Sequence, residues 1–477
     1  MRATWKGSLV VLVLLGLAGG AGFTVWRQRQ PGVSVASEPA VTFLGQAKRT
    51  VTLHFRASAG PLRSLEARVV QHGTALTVLT EDFPAGAAAT TNRTLVFEAA
   101  SLGLKEGGAA LQVFARDGLW RPRPDHGPRL VQPFTVDLTP PTVELRTATR
   151  YVQHGGAGIA VYRVSGASRS GVRVGSAIFP GVPGLGADPA LHVALFTVPY
   201  NAPETAPSVF AEDDAGNQRV VGIPVTFLPA RFPKDTIRLT EAFLDRKVPE
   251  LAPDTPATAS REQLLDTFLR VNGEGRRRNE AKIREIIQAG SAPSPLWRGV
   301  FRQQSNTKVF ANYPEQRTYL VDGRTVDTQW HLGIDLASRK QSPVEASNAG
   351  RVVFTGANGI FGNAIVIDHG LGLFSLYAHL SEIAVKPGQT VAQGEALGRS
   401  GETGLAGGDH LHFATLVHGV YTNPLEWWDE GWIRERIARP LAEAGIALAG
   451  VTDGALPSVA PAPAARPVRR SNRRGPR

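Results

Sequence analysis

The chain has 477 residues, no cysteine and a net charge of +11 at pH 7. Its length predicts two to four domains at roughly 100 to 200 residues each, and the lack of cysteine excludes disulfides, thiolate metal ligands and cysteine nucleophiles. Six of the positive charges are arginines between Arg466 and Arg477, which leaves +5 for the remainder, so the body of the protein is only mildly basic.

Gly7 to Trp26 carries no charge and is long enough to cross a hydrocarbon core as a helix. The apolar run extends past the small residues Ala18 to Ala21, which favours an uncleaved anchor over a signal peptide. Arg2 and Lys6 precede the run and Arg27 and Arg29 follow it, so flanking charge gives little guidance on orientation. The expectation is residues 1–33 as cytoplasmic stub and anchor, a single pass through the cytoplasmic membrane, and an extracytoplasmic or periplasmic body.

From about Val41 to Leu228 short runs rich in Val, Phe, Leu and Thr alternate with Gly, Pro and Asp clusters, the pattern of an all-β region. The run Val113 to Asp117 recurs in similar form as Val209 to Asp213, a separation that suits one β-sandwich per repeat. Pro140 and Pro141 mark a seam between them, because consecutive prolines remove ladder donors. Two sandwiches are therefore expected at 34–138 and 139–231. The Pro-Pro entry and the turn Asp214 to Asn217 resemble those of tandem bacterial immunoglobulin-like domains, which implies a spacer or docking role.

Residues 232–299 read as a helical connecting segment. Ser260 and Gln263 form a capping box ahead of Leu264, Leu265, Phe268 and Leu269, and Asn279 is placed to cap a second helix bearing Ile283, Ile286 and Ile287. A short amphipathic helix is expected within 431–451. The Pro- and Arg-rich tail, 452–477, lacks the apolar content for a core and reads as disordered.

Six of the eleven histidines lie between His331 and His418. They fall in a region of strands and Gly-rich corners. His410 and His412, two apart in a strand, leave the same face about 6.6 Å apart, so both can reach one site. His331 and Asp335 can join them only if the chain bends between the two, and Gly333 permits that bend. Two histidines and one aspartate leave a fourth position open, as catalytic zinc requires. His379, expected on the same strand face as Tyr377, is the candidate for proton transfer. His369 and His418, each beside a glycine in a hairpin turn, read as solvated.

The order His331-Leu-Gly-Ile-Asp335, Tyr377-Ala-His379-Leu380 and Gly408-Asp-His410-Leu-His412-Phe413 resembles the LytM or lysostaphin-type zinc metallopeptidases, which cut peptidoglycan cross-bridges. The resemblance covers roughly Val300 to Pro424. It implies a β-rich peptidase domain over 300–430, zinc on His331, Asp335 and His412, and catalytic roles for His379 and His410. Ala414 stands where that family commonly has Glu, and Leu405 to Gly408 replaces a usual Ser-Thr-Gly run. Neither change removes a ligand.

The whole then reads as a multidomain, mainly β, membrane-anchored zinc endopeptidase acting on peptidoglycan stem peptides. Cell-wall or divisome proteins are candidate partners of the sandwiches, and no nucleic acid is expected. The rival reading is a wall-binding module, or a regulator of another hydrolase, that does not cut. A segment covering the site, if there is one, would lie in 234–299.

Overall fold

The computed structural model describes residues 4–451. The tail read as disordered lies outside them. The helix Thr4–Arg29 projects from the N-terminus, and Val10–Arg29 is long and apolar enough to cross a membrane, with none of it buried against the protein.

The rest of the described chain is mainly β. In the first unit a three-stranded sheet (Val33–Glu38, Arg49–Ala57, Thr90–Phe97) faces a five-stranded one. The alternation Val51, Leu53, Phe55 points inward as the period of two demands, and all three are essentially inaccessible. In the second unit two four-stranded sheets pack face to face around Ile159, Val161, Phe179, Phe196 and Val209. The repeated runs end equivalent buried strands, Gly107–Asp117 and Ser208–Glu212. The turn Asp214 to Asn217 fastens the two units together. Asn217 is buried, donates to the carbonyl of Asp137 at 2.8 Å and accepts from the backbone N–H of Gln46 at 2.7 Å.

The second unit does not end at its own sheets. Its core continues through Trp297, Phe301, Trp427, Ile433, Ile437 and Leu441. The last four of these come with the helical run Pro424–Glu443, which contains one π-helical stretch. Glu426 is buried in this junction, where one carboxylate oxygen accepts from the N–H of Ala157 at 2.8 Å. Burial pushes its pKa up to about 8.

The third unit is an eight-stranded sheet whose central strands are Ile334–Ala337, Leu411–Val417, Leu373–Leu380, Asn363–Gly370 and Gly350–Ala357 in spatial order. Asn363–Gly370 and Leu373–Leu380 are buried along nearly their whole length, so they read as continuous apolar runs. His369 and His418 correct the expectation of solvated turns. His369 is fully buried, with one ring nitrogen on the carbonyl of Ala349 at 2.8 Å and the other on Ser375 Oγ at 2.7 Å. His418 lies edge-on to Phe179 of the second unit, over Gly372, which has no side chain to obstruct it. Both hairpins are covered by neighbouring units, which hairpin chemistry alone does not reveal.

The connecting segment is docked on this third unit. Lys234–Arg238 adds as a parallel strand to Glu315–Val321. The capping box at Ser260 forms as expected and starts the helix Arg261–Arg270. Asn279 departs from its expected role. The following helix begins at Arg276, and the Asn279 side chain accepts instead from the backbone N–H of Ile360 at 3.1 Å. Ile283 and Ile287 on that helix are buried in the core of the third unit.

Candidate active site

The strand Arg324–His331 belongs to a three-stranded sheet with Lys234–Arg238 and Glu315–Val321, while Ile334–Ala337 belongs to the eight-stranded sheet. The chain changes sheets at Leu332 and Gly333, which supplies the bend that brings His331 and Asp335 together. Gly333 is needed for close approach more than for the turn itself. A Cβ there would stand 2.4 Å from Cε1 of His412. Across the sheet Asp335 is paired directly with His412, and His412 with Ala378.

His331 Nε2, Asp335 Oδ1 and His412 Nδ1 form a triangle with all three edges at 2.9 Å. The tautomers follow from the outer partners. His331 Nδ1 faces the carbonyl of Asn312 at 3.2 Å, and a carbonyl only accepts, so the proton is on Nδ1 and Nε2 is bare. His412 Nε2 is buried without a hydrogen-bond partner among the described residues. With the His412 proton there, Nδ1 is bare as well. Three lone pairs then face one point in a buried site, an arrangement that is repulsive unless a cation shares it. The triangle is small enough for one ion to touch all three atoms at zinc-ligand distances of about 2.0 to 2.2 Å. These residues fit a divalent metal, and His331, Asp335 and His412 are the set among the described residues that could hold one.

The remaining site histidines flank this triangle. The ring of His379 stands 4.8 Å from that of His410 and 5.7 Å from that of His412, between centroids. His379 donates from Nδ1 to the carbonyl of Thr403 at 2.8 Å, and His410 donates from Nδ1 to the carbonyl of Gly408 at 2.8 Å. Each therefore turns Nε2 toward the cleft. His410 Nε2 lies 3.5 Å from Asp335 Oδ1.

His379 does not share a strand face with Tyr377, contrary to the simple alternation. The pairing slips between Ile365↔Tyr377 and Asn363↔Leu380, a bulge that places one extra residue on the His379 strand. His379 takes φ 64°, the left-handed region that costs a non-glycine residue about 1 to 2 kcal/mol. The bulge turns Tyr377 to the Phe413 side, where its hydroxyl accepts from the N–H of Ser347, and turns His379 to the His412 side. Strain held at a cleft in this way is a mark of a functional position.

Burial sets the charge states. It pulls His331 below the usual histidine range, assisted by the Arg317 charge and opposed by Asp335. It lowers His412 to about 4. It takes His379 well down, with the charges of His410 and His412 adding to the effect. Burial pushes His410 the same way, but its hydrogen bond and attraction to Asp335 prevail and raise it. Burial alone would raise Asp335, yet the charge and hydrogen bonds of the surrounding histidines hold it well below the carboxylate range.

The structure thus assembles all five sequence-read residues in one cleft of about 550 Å³. It also supplies groups that the sequence reading missed. Arg317 donates to Asp335 Oδ2 at 2.8 Å and to Glu315 at 3.1 Å, fixing the aspartate from behind. Ile237, Phe243 and Arg276 of the connecting segment line the same cleft, as does Phe310, which is 77% exposed. On the far side Lys247, buried, bonds the carbonyl of Glu402, and Glu250 accepts from the N–H of Gly404 at 2.7 Å. The helix Glu241–Leu251 thereby holds the loop that carries Thr403. No local motif marks these contacts, which join residues about 150 positions apart.

Residues 329–424 match the model of peptidase family M23. The chain is 37% identical over 122 residues to the peptidoglycan DD-endopeptidase ShyA of Vibrio cholerae, covering 26% of this chain and 28% of that protein. It is 42% identical over 95 residues to the DD-carboxypeptidase/endopeptidase Mpg of Neisseria meningitidis, covering 20% and 22%. The match therefore spans under a third of the length of these relatives. A solved peptidase M23 structure from Pseudomonas aeruginosa aligns over 57% of this chain and 92% of its own, at 19% identity and a TM-score of 0.32. The motif-bearing segment, its buried His and Asp cluster and the family match coincide, and the chain carries a peptidase family M23 domain in its C-terminal half.

Proposed function

We propose that this chain is a membrane-anchored, zinc-dependent endopeptidase that hydrolyses peptide cross-links of peptidoglycan. The observation that carries the reading is the triangle of His331, Asp335 and His412 with the Nε2 atoms of His379 and His410 turned toward its open side. Zinc held by these three side chains would supply a Lewis acid that makes water a better nucleophile and polarises the scissile carbonyl.

The chain's own residues account for the proton movements. His379 is neutral at pH 7, and its Nε2 lone pair can take a proton from the attacking water and return it to the leaving amine. His410, whose affinity for a proton is raised by Asp335, can donate from Nε2 to the developing oxyanion. Arg317 holds Asp335 in orientation. Hydrolysis yields one carboxylate and one amine, and no other co-reactant is needed. The DD-endopeptidase names of the relatives support peptidoglycan stem peptides as the substrate.

The apolar helix Thr4–Arg29 would anchor the chain in the cytoplasmic membrane, with the remainder extracytoplasmic. The two sandwiches, of immunoglobulin-like type in this reading, would set the reach of the cleft and offer surfaces for cell-wall partners. Because the second shares its core with the peptidase region, that reach would be fixed by a joined body.

The test is release of soluble muropeptides from purified sacculi by the full-length chain in detergent, before and after chelation and after zinc is restored. Release that chelation abolishes and zinc restores is the expected result. Binding to sacculi without release by the zinc-loaded chain would replace this reading with that of a non-cutting wall-binding or regulatory module.

A further inference from the structure

One wall of the cleft is built by an irregularity in the connecting segment. Between the helices Arg261–Arg270 and Arg276–Gln288 the chain makes a π-helical stretch, Val271–Gly275. Such stretches concentrate at functional sites. This one contains two glycines, each of which weakens a helix by roughly 1 kcal/mol relative to alanine. Local helix stability does not account for it.

The stretch sets Asn272 against Arg276. Asn272 is wholly buried. Its carbonyl accepts from Arg276 Nε at 3.2 Å and its side-chain oxygen accepts from Arg276 Nη2 at 2.7 Å. Its own amide donates to Asp327 Oδ2 at 2.8 Å, on the strand that ends at His331. The guanidinium is thus oriented through the buried Asn272 by a relay that starts at Asp327, four residues before the site histidine His331 on the same strand.

Arg276 lines the same cleft as His331, Asp335, His379 and His410, yet it forms no ion pair among the described residues. Arg317, the other guanidinium of the cleft, is occupied by Glu315 and Asp335. Arg276 Nη1 has no hydrogen-bond partner among the described residues, although its planar fork matches a carboxylate and its rotamer is already fixed. Glu280, one helical turn on, is near enough to feel the Arg276 charge but forms no ion pair with it, so the guanidinium fork stays open to an anionic ligand.

We propose that Arg276, oriented by Asn272, is a specificity residue that binds a carboxylate of the peptide substrate beside the scissile bond. The occupant is an acidic peptide, and amidation of that carboxylate would make it a poorer substrate. The proposal rests on the endopeptidase reading given above.

Two soluble cross-linked peptides, identical except for a free carboxylate or a carboxamide next to the scissile bond, test it with the full-length chain. The expected result is about a ten-fold or greater advantage in kcat/KM for the carboxylate peptide, expressed mainly in KM, as the loss of a charge-assisted hydrogen bond implies. Arg276→Gln should erase that advantage. Arg276→Lys, which keeps the charge and loses the fork, should fall between.

Binding of fluorescein-labelled forms of both peptides is measured by anisotropy in parallel. A carboxylate preference in binding without any cleavage would overturn the endopeptidase reading and retain the subsite. Equal handling of the two peptides by the unaltered chain, or a preference that survives Arg276→Gln, would overturn the subsite. Should Arg276→Gln fail to fold, Arg276→Lys takes its place, and a carboxylate preference undiminished in that variant would overturn the subsite.

Discussion

The cleft and the junction behind it both bury polar and titratable side chains, but they satisfy them differently. In the junction the buried carboxylate and hydroxyl groups are answered one by one, although the indole N–H groups of Trp297 and Trp427 find no partner among the described residues. Glu426 accepts from Ala157, Thr149 donates to the carbonyl of Arg436 at 2.6 Å, and Thr422 donates to the carbonyl of Gly155 at 3.2 Å. In the cleft the ligand atoms of His331, Asp335 and His412 converge on one another. Pairwise satisfaction stabilises an interface, whereas convergent lone pairs cost stability until a cation joins them. Burial alone therefore does not separate a functional histidine from a structural one. His369 is as buried as His412, but both its nitrogens are answered by the protein.

That contrast can be broken at either end. His379→Ala should lower kcat by roughly 10² to 10⁴ while leaving the melting temperature and metal content nearly unchanged, measured on the full-length chain. A comparable fall in thermal stability would mean that the ring is packing and not chemistry. At the other end Trp427→Ala should cost about 3 to 5 kcal/mol of stability, because the indole is fully buried where the second sandwich meets the peptidase region. Its kcat, measured at a temperature where the variant is folded, should hardly move. An activity loss of the size seen for His379→Ala would show that the junction is part of the machinery.

The junction also predicts a pH dependence. Burial raises the Glu426 carboxyl from its ordinary 4.5 to about 8 in the folded chain, so the native state keeps a proton that the unfolded chain releases. Its contribution is fully present below the lower value and is lost as pH rises through the upper one. Denaturant titrations should show Glu426→Gln to be less sensitive to pH than the unaltered chain across that window, by about 2 to 4 kcal/mol between its ends. Parallel pH profiles would remove Glu426 as the cause. The smallest effect is expected at Arg317. Arg317→Gln should weaken metal affinity about 10- to 100-fold through looser orientation of Asp335, read by competition with a chelating dye. An unchanged affinity would reduce Arg317 to a bystander.

How far the sequence reached follows the range of the interactions. His410 and His412 are two apart in one strand, and His331 and Asp335 are four apart across one bend, so their convergence is encoded locally and was legible. The capping box at Ser260 is local in the same sense, and it formed as read. The face of His379 was misread because the bulge depends on the pairing of Leu373–Leu380 with Asn363–Gly370, and alternation within one strand does not reveal a slip in its partner. Asn279 has the residue type of a helix cap, but the π-helical stretch starts the helix earlier and leaves that side chain to the backbone of Ile360. His369 and His418 lie in hairpins that look solvated until Phe301 and Phe179 arrive from other parts of the chain. Arg317 and Arg276 carry no motif at all, since their meaning comes from what does or does not face them across the cleft.

The central claim is that the three convergent side chains hold a metal and the two flanking histidines use it. Metal analysis of the full-length chain, set beside muropeptide release from sacculi, tests this on the unaltered protein and on the His412→Ala and His379→Ala variants. The account predicts zinc near one per chain and release by the unaltered protein. It also predicts loss of both metal and release in His412→Ala, and metal without release in His379→Ala. Full release by a metal-free chain, or undiminished release by His412→Ala, would contradict it.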